Sequence, residues 1–107
     1  GLWALAAYRV RQADQRLKAD AGTFQIVEGK VANVGFGAGR TFLDFSPDWR
    51  NGFSAVITGE DRKTFRHAHF DLQALSGHRI RLRGMVELFG GRPEIALSNP
   101  AQIEILN

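Results

Sequence analysis

The chain has 107 residues, 44% of them hydrophobic, no cysteine, and 14 Lys and Arg against 11 Asp and Glu, a formal charge of +3. Those figures fit one domain with a real core; they exclude disulfides, thiolate metal sites and cysteine nucleophiles, and no apolar run reaches the ~18 residues that span a bilayer. Arg outnumbers Lys 11 to 3. The planar guanidinium favours phosphate or carboxylate, which makes nucleic acid a candidate partner without requiring one.

Leu2 to Lys18 reads as a helix: it is Ala-rich, free of internal Gly and Pro, and places Leu2, Leu5, Ala6, Val10, Ala13 and Leu17 near helical spacing. Gly22 closes it. The abrupt opening without Met suggests a fragment, so residues 1–22 are expected to be an N-terminal helix continuing from an upstream domain, and residues 23–107 the folded domain. Thr23 to Val34 is a long strand, with a bulge expected near Ile26-Val27 where the apolar phase switches and Gly29 where a side chain would obstruct a neighbour. Gly35 to Gly39 is a flexible hairpin loop. Phe42 to Phe45 alternates as the second strand, and Ser46-Pro47-Asp48 and Asn51-Gly52 are turn-formers ahead of a third strand from Phe53 to Thr58.

A helix follows, with Glu60 and Asp61 in its first turn and Phe65, Ala68, Leu72 and Leu75 at helical spacing, divided in two around Phe70-Asp71. His78 to Phe89 is the clearest strand, with Ile80, Leu82, Gly84 and Val86 alternating against Arg79, Arg81, Arg83 and Met85. Gly90-Gly91 is a tight hairpin turn, Arg92 to Leu97 the fifth strand, and Gln102 to Leu106 a last extended piece. Three strands, a helix and a hairpin is the element order of an OB-fold. The expected architecture is mainly β: a five-stranded Greek-key barrel with a helix between strands three and four, besides the N-terminal helix. A different small barrel or an open α+β sheet is the alternative.

OB-folds usually hold ligands across strands two and three, between the first-to-second and fourth-to-fifth strand loops. Mapped onto this chain, that region is Gly35–Arg40, the outward side of Phe42/Asp44 and Ser54/Val56, and Leu88–Arg92. Arg40, Arg50 and Arg92 supply phosphate donors, and Phe36, Phe42 and Phe89 are stacking platforms. Arg79, Arg81 and Arg83 form the strongest electrostatic feature. Three guanidiniums about 7 Å apart on one strand face either track a nucleic-acid backbone or pair with acids such as Glu28, Glu87 and Glu104. Trp49 reads as a packing lid at a barrel end in preference to a stacking platform.

Catalytic and metal readings are set aside. Gly35-Phe36-Gly37-Ala38-Gly39 lacks the helix that a dinucleotide fingerprint requires. Asp44, Asp48 and Glu94 lie on separate elements, with Asp48 bonding its own turn. His67 and His69 point apart on a helix, and no Glu or Cys completes a zinc set. Gly52-Phe53-Ser54-Ala55-Val56 is no nucleophile elbow. No active site, metal or cofactor is expected in this chain.

The opening Gly1-Leu2-Trp3 is similar to the end of the nuclease domain in thermonuclease-like (staphylococcal-nuclease-like) bacterial proteins. The rest resembles the C-terminal extension some of them carry: Val27–Val31, Phe42–Phe45 with Asp48-Trp49-Arg50 and Phe53, Leu75–Gly84, and Asn99–Glu104. Ser46-Pro47 departs from the Gly-containing turn more usual there. The resemblance implies an OB-like accessory domain behind a calcium-dependent phosphodiesterase domain whose catalytic motifs lie upstream, and by analogy a periplasmic or secreted home. The expected function is a non-catalytic nucleic-acid-binding domain of such a nuclease. A structural or protein-interaction module is the alternative, and a degenerate hydrolase a third reading disfavoured by the missing motifs.

Overall fold

The computed structural model describes residues 9–107. Eight strands are present among these residues: β1 Val10–Gln12, β2 Phe24–Lys30, β3 Asn33–Gly37, β4 Arg40–Asp44, β5 Ser54–Ile57, β6 Arg79–Phe89, β7 Arg92–Ala96 and β8 Ile103–Ile105. The one α-helix among the described residues, α1, spans Gly59–His67 between β5 and β6. Thr58 caps it by accepting from the Asp61 amide at 3.1 Å, and Glu60 and Asp61 complement the dipole of its first turn. The helical pattern does divide. After α1 the chain turns through His69, at φ 57°, and resumes only as a 3-10 turn at Gln73–Leu75.

Strands run in the order β1-β2-β6-β7-β5-β4-β3, with β8 also on β6. The ladder is open, ending at β1 and β3, and with eight described strands it differs from the five-stranded barrel expected. Most of the difference arises at Val31 and Ala32. The Val31 amide donates to His78 O at 2.9 Å and the Ala32 amide to Asp44 O at 2.8 Å. Within two residues the chain changes partner from β6 to β4, so the single first strand expected at Thr23–Val34 becomes β2 and β3. No bulge interrupts β2 at Ile26-Val27; its register against β6 is continuous from Phe24↔Met85 to Lys30↔Arg79. Both residues are buried, Val27 in the core cluster and Ile26 outside it, with Val10 of β1 as its register neighbour.

The N-terminal helix is also corrected. Val10–Gln12 pairs in parallel with Ile26–Glu28, and Gln15–Asp20 is a 3-10 turn whose Leu17 enters the core. An Arg11–Asp20 ion pair of 2.7 Å ties the two together. Sheet hydrogen bonding and burial of Leu17 override the helical propensity of the alanines. The portion of that expected helix at Leu2–Tyr8 lies outside the described residues.

The core is the inward row of the strands, Val27, Leu43, Ala55, Ile57, Ile80, Leu82, Val86 and Ile95, closed at one end by Phe65 of α1 and by Leu75. Two glycines permit close approaches inside it. A Cβ on Gly84 would stand 2.6 Å from Ile95 Cγ2, and one on Gly29 would stand 2.7 Å from Ala13 Cβ and 3.0 Å from the Phe45 ring. Gly84→Ala is expected to destabilise the fold by about 1–3 kcal/mol through overpacking, whereas Gly90→Ser at the solvent-facing turn should cost less. Urea unfolding of the two variants, compared at equal m-value, checks the ranking.

Candidate nucleic-acid interface

Alternation along β4 sends Thr41 and Leu43 inward and leaves Arg40, Phe42 and Asp44 on the outer face. Register places Ser54 and Val56 of β5 beside Asp44 and Phe42, and Glu94 and Ala96 of β7 beside Ser54 and Val56. At the far end of β7, Arg92 sits opposite Phe89 across the Gly90-Gly91 turn. The outer face of β3, β4, β5 and β7 thus carries a cleft of about 280 Å³ lined by Gly35, Phe36, Phe42, Asp44, Trp49 and Arg92.

Aromatic rings and guanidiniums alternate around this cleft. The Arg40 guanidinium lies 5.2 Å from the Phe42 ring and 4.7 Å from the Phe89 ring. The Trp49 ring has Arg92 at 4.8 Å and Arg50 at 5.0 Å, and Arg92 also donates to Trp49 O at 3.4 Å. Trp49 is held there by its turn: Asp48 accepts from the Arg50 amide at 3.2 Å and from Asn51 Nδ2 at 2.6 Å. It remains 47% exposed. The half-exposed indole lines the cleft and is not part of the core cluster.

Two carboxylates lie among these cations. Asp44 accepts from Ser54 Oγ at 2.8 Å. Glu94 is only 7% exposed, and its Oε2 has no hydrogen-bond partner among the described residues. Burial pushes its carboxyl above the usual carboxylate range, an effect that Arg92 and Arg40 oppose and Asp44 reinforces. Sequence spacing singles out Glu94 only as a component of a metal set with Asp44 and Asp48. Among the described residues, no group of three or more His, Cys, Asp or Glu is placed to hold a metal ion.

The arginine row on β6 has a different setting. Arg79 and Arg81 both reach Glu28 of β2, at 3.0 and 2.9 Å, and Arg81 approaches Glu104 of β8 at 3.7 Å. The two guanidiniums, that of Arg81 first, hold the Glu28 carboxyl below its usual range. Of the two readings of the row, the structure places Arg79 and Arg81 in the carboxylate-paired one; Arg83 also has an interaction. The expected interface therefore divides. Phe42 and Arg92 line one cleft, which Arg40 and Phe89 adjoin through the Phe42 ring and Arg50 through Trp49, while Arg79, Arg81 and Arg83 occupy the part of β6 that pairs with β2.

Across Phe36 lies a second, wider groove of about 560 Å³, where α1 presents Arg62 and Arg66 near His69. The Arg62 guanidinium stands 6.0 Å from the Phe36 ring. Phe36 is a shared wall, and Arg62 and Arg66 are cations near the interface that hydrophobic spacing along α1 does not single out.

No family model and no curated protein matches the chain. Solved structures do. An OBody bound to hen egg-white lysozyme is similar with a TM-score of 0.57 and 23% identity, over 84% of this chain and 85% of that one. The S. pombe Stn1-Ten1 complex gives 0.55 and 15% over 78% of this chain and 58% of that one. Asparaginyl-tRNA synthetase from Pyrococcus horikoshii gives 0.56 and 17% over 84% of this chain but only 21% of its own length. At these identities the likeness is one of fold, and the fold is the OB-fold. None of these three is a thermonuclease-like protein. No helix among the described residues is long and apolar enough to cross a membrane.

The two perturbed carboxyls respond to pH in opposite senses. Glu28 has a lowered folded pKa, so its contribution is present above the ordinary carboxylate range, near 4.5, and is lost as pH falls through the lower folded value. Glu28→Gln should cost about 0.5–1 kcal/mol at neutral pH, the modest figure reflecting partly exposed partners, and nothing in strong acid. Glu94 has a raised folded pKa. Its ionised form disfavours folding above that value, and the penalty disappears as pH falls through it. Glu94→Gln should therefore raise Tm at pH ~7 and lose that advantage in acid. Thermal melts of the two variants across this range check both signs.

Proposed function

We propose that this chain is a non-catalytic, nucleic-acid-binding OB module whose interface is the outer face of β3, β4, β5 and β7. The observation that carries the reading is the alternation of guanidiniums and rings around one cleft: Arg40 between Phe42 and Phe89, and Arg92 and Arg50 beside Trp49. Bases stack on aromatic faces and guanidiniums bind phosphates, so this composition suits an extruded or single-stranded segment with little sequence preference from the stacking itself. The arginines lie against the rings. A strand would exchange those interactions for stacked bases while the guanidiniums turn to its phosphates. The Stn1-Ten1 and tRNA synthetase neighbours lend this reading support through their fold.

Attachment to an upstream calcium-dependent nuclease domain is part of the proposal and rests on the resemblance of residues 1–3, 27–31, 42–45, 48–50, 53, 75–84 and 99–104 to the thermonuclease-like extension. The module would then retain substrate beside that domain, with phosphodiester chemistry performed upstream. A protein-interaction role is the second reading. Phe24 and Met85, paired in register and both exposed, put an apolar surface on the far part of the sheet.

Anisotropy titrations of a labelled single-stranded oligonucleotide at about 50 and about 200 mM salt test the binding. Affinity should fall steeply with salt, and Arg40→Ala with Arg92→Ala should weaken it and flatten the salt slope by about 0.7 for each phosphate no longer neutralised. Arg79→Ala with Arg81→Ala should have the smaller effect, because those side chains already hold carboxylates. A larger loss from the β6 pair would move the interface to that row, and absence of binding at low salt would remove the nucleic-acid reading.

A further inference from the structure

Resting on the binding role just proposed, we infer that the cleft between Phe42, Phe36 and Trp49 is a base-reading pocket that selects guanine and rejects thymine and uracil, with the Asp44 carboxylate as the reader. The lining combines three aromatic residues, one carboxylate and one guanidinium. Asp44 is fixed from below, since Ser54 Oγ donates to Oδ1 at 2.8 Å, and Oδ2 has no hydrogen-bond partner among the described residues. A carboxylate held in one orientation between aromatic residues offers two acceptor oxygens in one plane and no donor.

Charge decides which part of a nucleotide enters. Asp44 in the lining, with the buried Glu94 two strands away in register through Ser54, makes the interior unfavourable for a phosphate. Arg40, Arg50 and Arg92 stand around it, against the Phe42, Phe89 and Trp49 rings. A nucleotide therefore fits with its base inward and its phosphates on the arginines. The volume of about 280 Å³ is at the small end for ligand pockets and suits one base.

The edge chemistry then separates the bases. Guanine presents N1–H and the N2 amino group side by side, two donors that match the two oxygens of one carboxylate. Thymine and uracil present a single N3–H between two carbonyls, so a carboxylate facing that edge gains one hydrogen bond and meets two like-signed oxygens. Cytosine and adenine offer one amino group beside an unprotonated ring nitrogen and fall between. A bidentate match of this kind typically discriminates by several-fold to about a hundredfold.

The test compares a thymine 12-mer with the same strand carrying guanine at every third position, a spacing that avoids guanine self-association, and a third strand with inosine at those positions. Anisotropy at low salt should show the guanine strand binding roughly tenfold tighter or more than thymine, with inosine, which keeps N1–H but lacks the N2 amino group, losing most of that advantage. In Asp44→Asn, whose folding is verified by its thermal melt, the guanine-to-thymine ratio should collapse, because one oxygen becomes a donor. The inosine arm uses the unaltered protein and holds even if the variant folds poorly. Equal affinity for guanine and thymine strands overturns the inference while leaving the binding role intact. A guanine preference that survives in folded Asp44→Asn, or is equal for inosine, also overturns it. Binding of none of the strands overturns the binding role and this inference together.

Discussion

Strand β6 pairs with β2, β7 and β8, and the point where its partner changes from β2 to β7 sets the rest of the geometry. Residues 79–85 pair with β2 and residues 86–89 with β7. Gly84 lies beside the change, where Ile95 of β7 comes so close that a Cβ would stand 2.6 Å from its methyl. That approach brings β7 over the core, where Ile95 and Val86 pack together, and leads it into parallel pairing with β5. The parallel pairing sets Glu94 next to Ser54, and through Ser54 next to Asp44. The floor of the cleft is thus a consequence of one missing side chain on the strand behind it.

The same strand sorts charge into two environments. On its β2 side, Arg79 and Arg81 face Glu28 and Glu104, cations and carboxylates neutralising each other on a partly exposed surface. Around the cleft the cations lie on rings, Asp44 lies in the lining, and the buried Glu94 beside Ser54 has an oxygen without a hydrogen-bond partner among the described residues. Ion pairs of the first sort contribute modestly to stability and leave little for a ligand. The second arrangement sacrifices stability through Glu94 and leaves both signs of charge available to an incoming group.

Much of this is legible in the sequence because local chemistry and fold agree. Two-residue alternation in Arg79–Phe89, the Gly90-Gly91 turn, and acids at the start of α1 identify the elements and their order, and that order points to the OB-fold. Phe36, Phe42 and Phe89 follow from mapping the usual OB ligand face onto it. The misses have one cause: partners distant in sequence. Val31 and Ala32 give no local sign that the chain will change from His78 to Asp44 as its backbone partner. The alanines before Gln12 favour helix, but the edge of β2 captures Val10–Gln12. Glu28 neutralises Arg79 and Arg81 from 51 and 53 residues away, a pairing that the arginine spacing alone leaves undecided. The contact of the Trp49 ring with Arg92, 43 residues away in sequence, is likewise tertiary.

The two hairpin tips bordering this face, Ala38-Gly39 and Gly90-Gly91, separate what the frame must keep from what it can change. Both turns take left-handed backbone, and a Cβ at Gly39, Gly90 or Gly91 would meet nothing within 4 Å. None of these residues belongs to the core, so residues inserted at either tip leave the interior packing untouched. Lineages that lengthen these tips can deepen or reshape the cleft while Gly84, Ile95 and the β5–β7 seam stay fixed. Ligand preference in this architecture is therefore free to diverge faster than the fold that supports it.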